Sequence, residues 1–76
     1  MRVDRLVTMA NDIGAFFEVL PDKAEASRST ATHLRRYWDP RMRREIIAHY
    51  RAGGEGLHGI VRSAVELLAA EDSQQT

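Results

Sequence analysis

Asp39-Pro40 constrains this chain more than any other pair of residues in it. Proline lacks an amide hydrogen and has a fixed φ, so it fits the first turn of a helix and is costly further in. It also disfavours helical backbone at the residue before it. Asp39 can then accept a hydrogen bond from the open amides of the new helix. One helix must stop near Tyr37 or Trp38, and another must start at Pro40. The break lies in a dense stretch: residues 33–51 hold the only Trp, both Tyr, two of the three His and six of the ten Arg.

Helical periodicity accounts for the rest of the chain. Leu6, Met9, Ile13, Phe16, Phe17 and Leu20 recur at three- and four-residue spacing, which predicts a helix over residues 4–20 with Asp4 as its N-cap. Its two phenylalanines are expected to supply much of the core, with Asn11, Asp12 and Glu18 off that stripe. Gly14 is either a small cost or a place where another backbone comes close. Pro21-Asp22 ends this helix and opens the next, Lys23 to Tyr37. The second stripe runs through Ser27, Thr30, Ala31, Leu34 and Tyr37 or Trp38, and its small residues let a neighbour approach closely. The third helix, Pro40 to about Ala52, buries Met42, Ile46, Ile47 and Tyr50. Gly53-Gly54-Glu55-Gly56 stops it, with Gly53 suited to the left-handed closing position. A last helix over 57–71 carries an apolar arc wider than one core face needs, so part of it is expected to meet a partner. The expectation is an all-α fold: a small single domain of about four short helices over residues 1–72, with a corner at Trp38-Asp39-Pro40. Residues 73–76 read as a polar, disordered tail.

Seventy-six residues make a small core, and there is no cysteine to staple it. Stable association with another protein is a natural remedy. The absence of cysteine also excludes thiolate metal sites and iron–sulfur ligation. No apolar run approaches the roughly 20 residues that span a bilayer, and residues 1–5 lack a secretory apolar region. The expected setting is the cytoplasm. His33, His49 and His58 have no i, i+4 pairing for a helical metal site. Ser27, Ser29 and Ser63 fall inside helices, outside any nucleophile elbow. The glycine run lacks the strand and the lysine of a phosphate loop. A catalyst that works alone is not expected.

The net charge is zero but uneven: residues 33–51 carry six arginines against two acids, and the flanks are acidic. Arg41, Arg43 and Arg44 crowd the start of a helix, the wrong end for cations in its dipole. That points to a use outside their own helix. Interfaces favour Arg, Trp and Tyr, so the predicted partner-binding set is Arg35, Arg36, Tyr37, Trp38, Arg41, Met42, Arg43 and Arg44. The alternative is a small helix-turn-helix-like nucleic-acid-binding protein using the Arg-rich third helix. The opening Asp-Pro, the lack of Asn and Gln readers and the acidic flanks argue against it.

Three segments carry a family resemblance. They are Val7-Thr8-Met9-Ala10-Asn11-Asp12-Ile13-Gly14-Ala15-Phe16-Phe17, His33-Leu34-Arg35-Arg36-Tyr37-Trp38-Asp39-Pro40-Arg41-Met42-Arg43, and Gly53-Gly54-Glu55-Gly56-Leu57 followed by Val61-Arg62-Ser63-Ala64-Val65. Together they resemble the delta subunit of NAD-dependent, molybdenum-containing formate dehydrogenase, over roughly residues 5–68. The sequence departs from the family pattern at His58-Gly59, where an acid followed by Pro is expected. The resemblance implies a non-catalytic accessory subunit of a cytoplasmic complex that oxidises formate to CO2 and reduces NAD. It implies docking on the large catalytic subunit, in support of its assembly, stability or molybdenum-cofactor retention. It implies no cofactor on this chain, with molybdopterin guanine dinucleotide, iron–sulfur clusters and FMN on the partner subunits. Some of the arginines could alternatively contact phosphates of the dinucleotide during its insertion, since Arg suits phosphate and carboxylate alike.

Overall fold

Three breaks in helical backbone divide the chain, at Glu18–Asp22, Trp38–Asp39 and Ala52–His58. The computed structural model describes residues 2–74, leaving aside the side chain of Gln74. Among these residues lie α1 (Val3–Phe17), α2 (Lys23–Tyr37), α3 (Pro40–Arg51) and α4 (Gly59–Gln74). The all-α expectation with a corner before Pro40 holds. The radius of gyration, 11.2 Å, is close to the roughly 11 Å of a compact chain of this length.

The caps follow local chemistry. Asp22 accepts hydrogen bonds from the Ala24 and Glu25 amides at the start of α2. Asp39 does the same for Met42 in α3. Asp4 is not the N-cap of α1: helical backbone begins at Val3, the capping position falls on Arg2, and Arg2 makes no side-chain cap. Asp4 sits in the first turn instead, where a carboxylate suits the dipole. The end of α3 is a Schellman turn. The amide of Gly53 bonds the carbonyl of Tyr50, and the amide of Gly54 bonds that of His49. Gly53 and Gly54 take φ of 128° and 66°, which other residues adopt only with strain.

The core is centred on α4, which touches all three other helices and packs most extensively on α2. Leu57, Ile60, Val61, Ala64, Val65, Leu68 and Ala69 are buried. The wide apolar arc of α4 is therefore largely used inside the fold, with Leu67 left partly exposed. The helix also continues through Ser73 to Gln74 where a tail was expected; residues 75 and 76 lie outside the described residues. On α2, Ser27, Thr30, Ala31 and Leu34 are buried as the small-residue stripe predicts, and Ala26 is buried beside them. The Thr30 hydroxyl donates to the Ala26 carbonyl, so its burial leaves no lone donor.

The first helix is rotated from the expected orientation. Its buried line is Leu6, Ala10 and Gly14. A Cβ on Gly14 would lie 2.1 Å from Cγ2 of Val61, so the glycine marks the close approach of α4. At about 100° per residue, Phe16 falls about 200° around from Gly14 and faces outward. It is 73% exposed, and Phe17 is only partly buried. The two phenylalanines are not the core anchors their spacing suggests. The helix also stops at Phe17, before the predicted Leu20: the Leu20 amide bonds the Phe17 carbonyl in a tighter turn just ahead of Pro21.

Candidate docking site

The corner between α2 and α3 is built from the inside out. Trp38 leaves the helix with extended backbone (φ −89°, ψ 137°) and is only 5% exposed. It belongs to the core with Leu34, Ile46 and Ile47. Trp38 thus anchors the corner from within the core. Tyr37, its neighbour, is 69% exposed. Met42 is partly buried against the core.

The crowding of arginines at the start of α3 has a structural answer for one of them. Arg43 turns back and donates through Nη1 to the carbonyls of Arg35 and Trp38, at the end of α2. A cation misplaced for its own helix is well placed for the preceding one, because the two helix ends meet at the corner. The same device recurs along the chain. Lys23, first residue of α2, donates through Nζ to the Glu18 carbonyl that ends α1, at 2.7 Å. Arg62, in the first turns of α4, donates to the carbonyls of Gly53 and Gly54 after α3. Its guanidinium also lies 5.7 Å from the centre of the Tyr50 ring. The end of α4 is served by Arg51 of α3, which donates to the Ala69 carbonyl and Ser73 Oγ and lies 3.5 Å from Asp72.

Arg35 is also engaged. Its Nε donates to Glu71 Oε1 at 2.9 Å, and its Nη2 pairs with Oε2 of the same carboxylate. This bidentate fork ties the end of α2 to α4. Both side chains are about half exposed, so its contribution to stability is about 0.5 kcal/mol. Arg36, Arg41 and Arg44 are exposed, and none has a hydrogen bond or ion pair among the described residues. The predicted eight therefore separate. Trp38, Arg43 and Arg35 hold the corner, Met42 packs against it, and Arg36, Tyr37, Arg41 and Arg44 face solvent on its two arms.

Arg44 also borders a cleft of about 250 Å³ with Arg35, Arg43, Glu71 and Asp72. The two carboxylates make that cleft a mixed-charge surface and not a simple anion site. The third helix is likewise poorly suited to nucleic acid. Arg43 is folded under, Arg51 is tied to the end of α4, and Glu71 and Asp72 stand beside Arg44. Among the described residues no group of three or more His, Asp or Glu is placed to hold a metal ion. No helix is long and apolar enough to cross a membrane.

Two features went unread in the sequence. Asn11, off the apolar stripe of α1, donates through Nδ2 to the Gly56 carbonyl at 2.9 Å and accepts the His58 amide at 3.1 Å. It fixes the loop that leads into α4. The His58 carbonyl then accepts the Val61 and Arg62 amides, so the departure at His58-Gly59 still starts a helix. The second feature is the exposed aromatic surface left by the rotation of α1. A signal for it was present: Ala10 and Gly14, small residues four apart, can mark a contact face as well as large residues do.

The sequence model of the NADH-dependent formate dehydrogenase delta subunits, FdsD, matches residues 5–65. No curated protein and no solved structure matches the chain.

Proposed function

The chain belongs to the FdsD family, the delta subunits of NADH-dependent formate dehydrogenase, and we propose that it docks on the large catalytic subunit through the exposed arms of its corner. It is a non-catalytic accessory subunit. In this reading it supports the assembly or stability of the catalytic subunit or the retention of its molybdenum cofactor. The redox centres, namely molybdopterin guanine dinucleotide, iron–sulfur clusters and FMN, reside on the larger subunits. The complex works in the cytoplasm.

The observation that carries the docking site is the contrast within one arginine cluster. Arg43 and Arg35 are consumed by the fold, while Arg36, Arg41 and Arg44 have no partner among the described residues and lie beside an exposed Tyr37. Burying apolar surface at Trp38 and closing helix ends with Arg43 make the corner stiff, so little ordering entropy is lost when it binds. Free guanidinium groups suit carboxylates on a partner, with two parallel hydrogen bonds each.

Co-expression of the tagged chain with the catalytic subunit tests this. Combined Arg36→Glu, Arg41→Glu and Arg44→Glu should sharply reduce capture of the catalytic subunit while helix content by circular dichroism stays unchanged. Wild-type capture should weaken as salt rises. Undiminished capture by the triple variant overturns the docking site. Molybdenum per catalytic subunit, measured in enzyme made with and without the chain, tests the supporting role; equal content and equal yield of assembled enzyme overturn it.

A further inference from the structure

The three most exposed large apolar side chains among the described residues are Val19 at 82%, Phe16 at 73% and Tyr37. Phe16 and Tyr37 are the ends of a chain of rings. Phe16 meets Phe17 edge to face with centroids 5.2 Å apart. Phe17 meets His33 at 6.1 Å, and His33 meets Tyr37 at 4.7 Å. The rings cross from the end of α1 over α2 to the corner. Two shallow grooves flank them and share Phe17 and His33. In the middle of this line of rings, Nδ1 of His33 is buried with no hydrogen-bond partner among the described residues.

Its charges are arranged as well. Arg28 and Arg36 border the groove at the Tyr37 end, and neither has a hydrogen bond or ion pair among the described residues. Glu25 lies on the same groove, and Asp12 borders the other at the Phe16 end. Arg36 and Tyr37 belong to the corner surface too, so the two surfaces are continuous. A specific interface engages roughly 20–30 residues a side, far more than the corner's four exposed side chains. A partner on the corner must spread onto adjoining surface, and in the direction of Tyr37 that surface is aromatic. Aromatic residues and arginine are also what interface cores enrich.

We propose that the ring chain from Phe16 to Tyr37 is the apolar core of the docking surface, taking an amphipathic segment of the catalytic subunit. That segment sets a bulky aliphatic or aromatic anchor among the rings and carboxylates over Arg28 and Arg36. The proposal rests on the docking reading above. It differs in placing the binding energy in the rings, from Phe16 outside the corner to Tyr37 at its edge, and not in the arginines. Phe16 is a binding residue because the rotation that seats Gly14 against Val61 turns it out of the fold.

The test titrates formate dehydrogenase purified without this subunit with the full chain. Phe16→Ala and Tyr37→Ala remove exposed rings, so both variants should keep wild-type melting curves. Each should weaken binding about tenfold or more, as truncation of aromatic anchors does, and the loss should persist in high salt. Arg28→Glu, which lies outside the corner set, should also weaken binding. Wild-type binding with all three variants within twofold of it overturns this inference alone and leaves the corner reading standing. A wild-type chain that does not bind the enzyme overturns both. A chain that instead pairs with itself through Phe16, seen as a dimer that Phe16→Ala makes monomeric, overturns the assignment of the partner.

Discussion

Gly14→Ala should destabilise this protein, although it replaces glycine by the best helix former within a helix. Intrinsic propensity alone favours the change by about 1 kcal/mol. The new Cβ, however, would stand 2.1 Å from Cγ2 of Val61 and 3.5 Å from its Cβ. Carbon atoms in contact prefer about 3.5–4.0 Å, so one partner must move by more than an ångström. Val61 is 2% exposed and sits in α4, where a β-branched side chain has one strongly preferred rotamer. It has no cheap way to turn aside. Overpacking of this kind costs about 1–3 kcal/mol, so the overall loss should be about 1 kcal/mol. In a domain of this size that lowers Tm by roughly 4–8 °C. Thermal melts of Gly14→Ala, Val61→Ala and the double variant supply the test. Val61→Ala alone should also destabilise, by lost methyl groups and a small cavity. In the double variant the added methyl enters the space vacated by valine, so its loss should fall short of the two single losses together by at least about 1 kcal/mol. A rise in Tm for Gly14→Ala, or simple additivity, would refute the account of how α1 is oriented.

Two further substitutions separate arginines and polar groups that look alike in the sequence. Arg43→Ala removes the closure of α2 and should cost about 1–2 kcal/mol in urea denaturation, whereas Arg41→Ala, exposed and unpaired among the described residues, should stay within about 0.5 kcal/mol of wild type. Equal effects at the two positions would show that Arg43 does not hold the corner. Asn11→Ala breaks both bonds to the loop before α4 and should cost about 1–2 kcal/mol; hydrogen exchange at the His58 amide should quicken, and unchanged protection there would count against the staple.

Some of this protein was written locally. The start of α2 after Pro21-Asp22 and the break at Asp39-Pro40 depend on residues within a turn, because capping and proline geometry act over that distance. Those boundaries, and the Schellman turn at Gly53-Gly54, were legible from sequence. So were the buried faces of α2 and α3 at Thr30, Leu34, Ile46 and Ile47. The family motifs were legible too, including the Asn11 they contain. The work Asn11 does was not, because its partners are 45 and 47 residues away.

The candidate docking surface was only half legible for the same reason. Its density of Arg and Tyr marked the corner, but charge and spacing do not say which arginine finds a carbonyl. Arg43 differs from Arg41 and Arg44 only once α2 ends within its reach. Likewise Phe16 and Phe17 have core-like spacing, and α1 alone could bury either. The contact of Gly14 with Val61 sets the rotation of the helix and leaves Phe16 outside. By itself the sequence determined four helices, their breaks and the family of the chain. The tertiary structure decided which cations close helix ends and which do not, and which aromatic rings fill the core and which stay exposed. Both choices depend on where the ends and faces of other helices lie, and no periodicity within one helix carries that information.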